Sequence, residues 1–282
     1  MTSEAWELAH GAARAAGVEL RPLADLEDAD RIVAVLEATW GDEQVVPREM
    51  LRALAESGNV PYGAFAAGEL IGYVLGWAGV DAVDGLHVHS HMLATLPERR
   101  HGGVGFALKL AQRAQALDQG IEVIRWTFDP LVARNAYFNL HKLGAVVDRF
   151  ARNFYGEMGD AVNRGDRSDR FFVRWNASAP PGPWSVPVDG DPTIVRRGAE
   201  DRAEGIGEPI GDAAVIEIPS DHAALRAADP GLARAWRDLV ADAAESCLAH
   251  GLVCARFDRD RSAYVFARTY GRARLDMRRR GS

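Results

Sequence analysis

Three histidines and a glycine-rich turn stand close together in the chain. His87-Val88-His89-Ser90-His91 puts imidazoles at alternate positions, and alternate residues of an extended strand share a face. Such a row admits three chemistries. Neutral imidazoles converging on an ion make a metal site, although a flat strand alone does not supply the convergence. Histidines hydrogen-bonded on a half-exposed strand are structural. An imidazole that titrates near neutrality is also a general base. Directly downstream, Pro97-Glu98-Arg99-Arg100-His101-Gly102-Gly103-Val104-Gly105 contains Arg100-x-x-Gly103-x-Gly105. Glycines let backbone N–H groups approach a ligand closely, and a helix starting at Val104 leaves its first amides unpaired and partly positive. Pyrophosphate suits such a turn; a plain chain reversal is the bland alternative. No Gly-Lys-Ser/Thr follows, which excludes a P-loop. The first glycine of a dinucleotide fingerprint is missing, and no acidic residue ends a second strand at the expected distance.

The elements that must position these residues read as follows. A helix covers Ser3–Ala16, a strand residues 18–23, and Asp25 caps a helix running to about Thr39. Pro47 opens another helix, to about Glu56. Gly63–Ala67 and Leu70–Val80 flank Gly68-Glu69 as a hairpin. Leu86–Thr95 is the histidine strand, and a helix from Val104 ends near Gly120. Ile121–Phe128 is a strand stopped by Asp129-Pro130. A helix over Ala133–Leu143 closes on Gly144, and Val146–Tyr155 and Phe171–Trp175 are strands. Residues 176–190, rich in Pro, Ser, Ala and Gly, read as a linker. Beyond it come a strand at Ala213–Ile218, an amphipathic helix at Leu232–His250, and strands at Leu252–Phe257 and Ala263–Ala267.

Arg100-x-x-Gly103-x-Gly105, with Pro97 three residues before the arginine, resembles the coenzyme A pyrophosphate loop of the GNAT superfamily of acyl-CoA-dependent N-acyltransferases. That loop reads Gln/Arg-x-x-Gly-x-Gly/Ala. The element order over residues 18–175 is the one expected of that core. The stretch Asn135–Ala145 is similar to the family's Ala-x-x-Leu-Tyr-x-Lys-x-Gly-Phe helix: Ala136, Lys142 and Gly144 align, while Leu140 stands where the family has tyrosine. Tyr137, one turn earlier, is then either a substitute general acid or a core aromatic.

The resemblance implies an α/β fold with a mixed, mostly antiparallel sheet flanked by helices. Together with the break at 176–190 and the fresh strand–helix–strand–strand pattern beyond it, this predicts a GNAT-like domain over 1–175, the linker at 176–190 and a C-terminal α/β lobe over 191–282. The resemblance implies acetyl-CoA or another acyl-CoA such as succinyl-CoA as co-substrate, with no metal. Leu93, Thr95, Leu96, Arg99, Arg100, His101, Gly102, Gly103, Val104, Gly105, Asn135 and Lys142 are the implied cofactor contacts. The pantetheine arm is expected between the strands at 86–96 and 121–129, with backbone N–H groups near Thr95 and Leu96 polarising the thioester carbonyl. Aralkylamine N-acetyltransferases of the superfamily carry a His-x-His pair on this strand, at the same distance before the loop. By position the pair is His89 and His91; His87 has no counterpart. Glu98, beside the loop, is a further acid–base candidate or an ordinary acidic residue at a helix start.

The acceptor expected is the amine of a small molecule, an amino acid among them, with protein lysines or N-termini and antibiotic amines as alternatives. Arg152, Arg170 and Arg174 are candidate carboxylate contacts or surface ion-pair partners. A non-catalytic acyl-CoA-binding or regulatory protein of the same fold is the alternative. Composition bounds the rest. The chain has 282 residues and a formal net charge of −7, which argues against a nucleic-acid partner. Arg99, Arg100, His101 and Lys109 would give the loop local positive charge. No apolar run reaches membrane-spanning length, and the N-terminus carries no signal-peptide pattern. Cys247 and Cys254 read as buried thiols of a cytoplasmic protein, and a homodimer is compatible with the family.

Overall fold

Local signals start and stop the first elements. The Asp25 carboxylate accepts from the Asp28 amide at 2.8 Å and caps a helix; Gly41, at φ 85°, ends it. The computed structural model describes residues 2–41, 46–99, 102–158, 165–186, 190–205 and 207–268. It divides into two compact units. Among the described residues, the first holds everything through Trp126 together with Asn176–Pro180. The second holds Thr127–Met158, Gly165–Trp175 and the residues from Pro181 onward.

The first unit contains α1 (Thr2–Ala15), β1 (Glu19–Pro22), α2 (Leu26–Trp40), α3 (Arg48–Glu56), β2 (Tyr62–Ala66), β3 (Glu69–Asp81), β4 (Gly85–Thr95), α4 (Val104–Asp118) and the start of β5 (Val123–Phe128). Its strands lie in the order β1-β2-β3-β4-β5, antiparallel except for the parallel β4–β5 pair. Both faces are covered. Leu23, Ile32, Val35 and Leu51 pack on Phe65, Tyr73 and Leu75, while Val104 and Leu108 pack on Ala64, Ile71 and Val74. This explains why Leu70–Leu75 is a continuous buried run rather than an alternating one. A bulge at Ile71 switches the parity of β3. Ala5, Ala9 and Ala13 are the buried residues of α1, and Trp6 Nε1 ties it to Asp118 of α4 at 2.7 Å.

The second unit begins with α5 (Ala133–Ala136), which runs directly into a π-helical segment, Tyr137–Leu143. It continues with β6 (Val146–Ala151), β7 (Arg170–Asn176), β8 (Thr193–Arg197), β9 (Ala203–Gly205), β10 (Ala213–Glu217), α6 (His222–Ala228), α7 (Pro230–Ala249), β11 (Val253–Asp258) and β12 (Ala263–Ala267). The strand order is β7-β6-β11-β12-β10-β8-β9, with only β8–β10 parallel. Phe171 meets Tyr264 edge-on at 5.1 Å, and the Tyr264 hydroxyl donates to the Pro130 carbonyl at 2.6 Å. Arg237, 3% exposed, donates to both Asp129 oxygens at 2.7 and 3.0 Å and to Asp166. These two half-buried carboxylates hold its pKa above the ordinary guanidinium value despite its own burial, which pulls the other way.

The fold class is the expected one: mixed, largely antiparallel sheet flanked by helices. The organisation differs from the expectation. The division falls after Trp126, not at 175, and residues 176–190 do not separate the units, because 176–180 pack with the first and 181–186 with the second. The strand expected to reach Tyr155 stops at Ala151, where Arg152–Tyr155 turn through Asn153 at φ 46°. β8, β9 and α6 were not expected at all. The basic run at 272–280 lies outside the described residues, and no described helix is long and apolar enough to cross a membrane.

Arg237→Leu removes the guanidinium shared by two half-buried carboxylates, leaving Asp166 the longer contact to Arg226 at 3.4 Å and Asp129 the one to Arg170 at 3.9 Å. It should destabilise the second unit by about 3–5 kcal/mol; chemical denaturation against the parent chain measures this.

Candidate active site

β4 is paired with β3 from end to end, and that register builds the histidine cluster. Counting back from the Asp81–Gly85 turn, Val80 faces Leu86, Gly79 faces His87, and Trp77 faces His89. A bulge between the Gly76–Ser90 and Leu75–Met92 pairs leaves His91 as the extra residue. It brings His91 to the same indole: Trp77 lies 5.1 Å from His89 and 4.9 Å from His91, ring centre to ring centre, and the two imidazoles are 6.0 Å apart. His87 is engaged differently. Its Nδ1 lies 3.0 Å from the Gly85 carbonyl oxygen, and its ring fills the space where Gly79 has no side chain.

Desolvation holds the pair neutral. Burial, with smaller contributions from His91, His87 and Lys109, pushes the His89 pKa down to about 4. His91 is the more open of the two, and partial desolvation still lowers its pKa from 6.5. Both are therefore lone-pair donors at neutral pH, and His91 is the stronger base. Trp77 had no place in the sequence reading. Counting the hairpin register back from Gly85 would have found it opposite His89.

On its other edge β4 pairs with β5 only at Val88–Ile124 and His89–Arg125. Beyond these positions the strands part. Below the fork, Arg125 Nε donates to Asp84 in the β3–β4 turn. Above it, the Leu96 amide donates to the Ile71 carbonyl at 2.9 Å. Leu96 is thus committed to β3 and is not an oxyanion donor, contrary to the sequence expectation. Ladder alternation turns the amides of Leu93 and Thr95 to the opposite edge, the one facing the parting.

At the fork itself lies Lys109 of α4. Its Nζ donates to Ser90 Oγ at 2.7 Å and to Gln112 Oε1 at 3.2 Å, and sits 3.8 Å from the centre of the Trp126 ring. It is 2% exposed, and burial lowers its pKa to about 7. The expectation that Lys109 adds surface charge to the glycine loop is therefore corrected: it is a core residue.

α4 starts without a side-chain cap. Gly103 occupies the cap position at φ 86°, in the left-handed region, and its carbonyl accepts from Ala107 at 3.1 Å. The amides of Val104, Gly105 and Phe106 precede the first helical bond and are open to an anion. Gly105 lies against Leu93, 3.6 Å from where a β-carbon would stand to Leu93 Cδ2. Gly102 is exposed, as is Glu98 in the short 3-10 turn Pro97–Arg99. Arg100 and His101 lie outside the described residues.

Asn135, Tyr137 and Lys142 belong to the second unit. The Asn135 amide donates to Val132 at 2.9 Å, and Lys142 is exposed. Leu140 is fully buried, so the position of the family tyrosine is a core position. Tyr137 does not share that face. The π-helical winding turns it half-buried onto His141, whose ring stacks 4.5 Å away. Arg152 is committed to Glu245 and Asp242, Arg170 donates to the Asp169 carbonyl, and Arg174 is also engaged. Cys247 and Cys254 are buried thiols with pKa values pushed up, to about 12 for Cys247.

Residues 23–145 match the family model described as Acetyltransferase (GNAT) family. No curated protein matches the chain. Among solved structures, the ribosomal-protein-S18-alanine N-acetyltransferase of Escherichia coli is 13% identical, covering 58% of this chain and 96% of its own, with a TM-score of 0.45. Naa20 of Chaetomium thermophilum, in complex with a bisubstrate analogue, is 20% identical over 56% of this chain and 86% of its own, with a TM-score of 0.44. YncA of Salmonella typhimurium, with its cofactor acetyl-CoA, is 17% identical over 57% and 94%, also with a TM-score of 0.44.

The Lys109 pKa carries a stability prediction. Because burial lowers it from 10.5 to about 7, the advantage present above pH 10.5 is lost as pH falls through about 7. Lys109→Met removes that dependence. The variant should be the more stable at pH 6, and its lead over the parent chain should shrink by about 2–3 kcal/mol on going to pH 9. Parallel urea titrations at the two pH values measure it.

Proposed function

This chain belongs to the acetyltransferase (GNAT) family through residues 23–145, an acyl-CoA-dependent N-acyltransferase by that membership, and from that premise we propose that it moves an acetyl or larger acyl group to the amine of a small molecule, with His89 and His91 handling the amine proton. One observation carries this reading. A single strand, β4, bears the neutral His89–His91 pair and the open-edge amides of Leu93 and Thr95, and it leads directly into the uncapped start of α4.

The residues fit acyl-CoA. A left-handed glycine and free helix amides suit a pyrophosphate, and nothing acidic stands in the first turn of α4. Bound there, acyl-CoA supplies an activated thioester. The amides of Leu93 and Thr95 stabilise negative charge on its carbonyl oxygen. The acceptor amine must be neutral to attack. His91, the more basic imidazole, accepts its proton through a bridging water, and His89 stays neutral as a hydrogen-bond partner. Trp77 packs against both rings and orients them. The thiolate of CoA leaves and takes its proton from solvent. A second reading, acyl-CoA binding without turnover, draws on the buried Leu140 where the family has its tyrosine. An assay of CoA release over a panel of acyl-CoAs and amines separates the two: binding without thiol release favours the second.

His89→Gln/His91→Gln keeps hydrogen bonding and removes both bases. Turnover should fall by about 10²–10⁴-fold, with acyl-CoA binding retained. The acidic limb of the pH–rate profile, expected below 6.5 because both pKa values are lowered, should vanish. Normal turnover with an unaltered limb would overturn the base assignment.

Gly103→Asp places a side chain at φ 86° and a negative charge where phosphate is to lie. The backbone strain is about 1–2 kcal/mol, which the fold tolerates, whereas CoA affinity should collapse in calorimetry. Unchanged affinity would remove the loop from the cofactor site.

A further inference from the structure

Lys109 is an ionisable group buried where no reaction step uses it. Among the described residues no carboxylate pairs with it. Its three N–H bonds are accounted for by neutral groups: Ser90 Oγ, Gln112 Oε1 and the π face of Trp126. These partners come from different places. Ser90 follows His89, the last β4 residue paired to β5, and Trp126 follows Arg125, the last β5 residue paired to β4. The ammonium therefore sits at the apex of the fork and touches the residue that follows the last β4–β5 pair in each strand. Gly76, opposite Ser90, leaves room for this: a β-carbon there would come within 2.8 Å of Gln112 Nε2 and 2.7 Å of the His89 carbonyl oxygen.

A hydrocarbon of the same length would fill the space without the cost of burying a charge. It would not hold Ser90, and it would not be drawn to the face of an indole.

We propose that Lys109 is a positioning residue for the acyl-CoA cleft: by binding Ser90 of β4 and Trp126 of β5 where the strands part, it sets the opening that receives the pantetheine arm. The inference rests on the acyl-CoA reading above, and the test separates the two. Two probes are titrated calorimetrically into the parent chain and Lys109→Met: acetyl-CoA, and adenosine 3′,5′-bisphosphate, which lacks the pantetheine arm. Lys109→Met should bind the bisphosphate within about twofold of the parent chain and acetyl-CoA at least about tenfold more weakly, although it is the more stable protein at pH 6. In turnover the loss should fall on the KM for acetyl-CoA more than on kcat. Acetyl-CoA affinity within about twofold of the parent chain would overturn the inference and leave Lys109 a buried structural residue. A parent chain that binds neither probe would overturn the acyl-CoA reading and this inference with it. Ser90→Ala, which leaves the lysine in place, carries the same comparison where Lys109→Met fails to fold.

Discussion

β4 is bound along its whole length on one edge and along a fraction of it on the other, and the site depends on that asymmetry. Full pairing with β3 fixes the strand rigidly enough to hold two imidazoles against one indole. Early parting from β5 leaves amides of the same strand without ladder partners. A strand paired throughout on both edges would have no donors to offer, and one unpaired on both would not hold side chains in register. The bulge at His91 makes the two demands compatible, since it re-aims one side chain without breaking the β3 ladder.

α4 serves the site at two points. Its start is a glycine in a conformation that other residues adopt only with strain, and no side chain caps it. Its second turn carries Lys109 into the fork. Each feature costs stability, the first by leaving helix amides unpaired and the second by burying a charge. Departures from locally optimal structure that recur around one cleft are the mark of a surface arranged for a ligand rather than for folding.

Local chemistry was legible in the sequence, and anything set by register or winding was not. The Gly103 turn and the start of α4 at Val104 follow from residue types at adjacent positions. The nearness of His89 and His91 is expected from strand periodicity, whereas the bulge that aims His91 at Trp77 is a matter of register. Trp77 escaped because it is brought opposite His89 by hairpin pairing, a fact about two segments at once. Lys109 escaped because a lysine on a helix is expected to reach water, whereas both sides of α4 are covered, by α1 and by the sheet. The place of Tyr137 relative to Leu140 was not legible because a 3.6-residue period does not describe a π-helical segment. The division after Trp126 escaped because the texture change at 176–190 is compositional, while the units are set by which segments pack together.

The clasp of Arg237 on Asp129 and Asp166 also bears on the order in which the protein is made. The first unit is drawn almost wholly from residues that leave the ribosome before Thr127. The second cannot close as it is synthesised. Val147 of β6 waits for Cys254 of β11, and Asp129 waits for a guanidinium 108 residues further along. During that interval β6 presents an unpaired edge and two carboxylates destined for the interior remain hydrated. Folding can therefore follow synthesis for one half of the molecule, whereas the other half must wait for the complete chain. A ribosome stalled between the two leaves a folded first unit trailing an open sheet edge, the form of this chain most exposed to aggregation and to proteases.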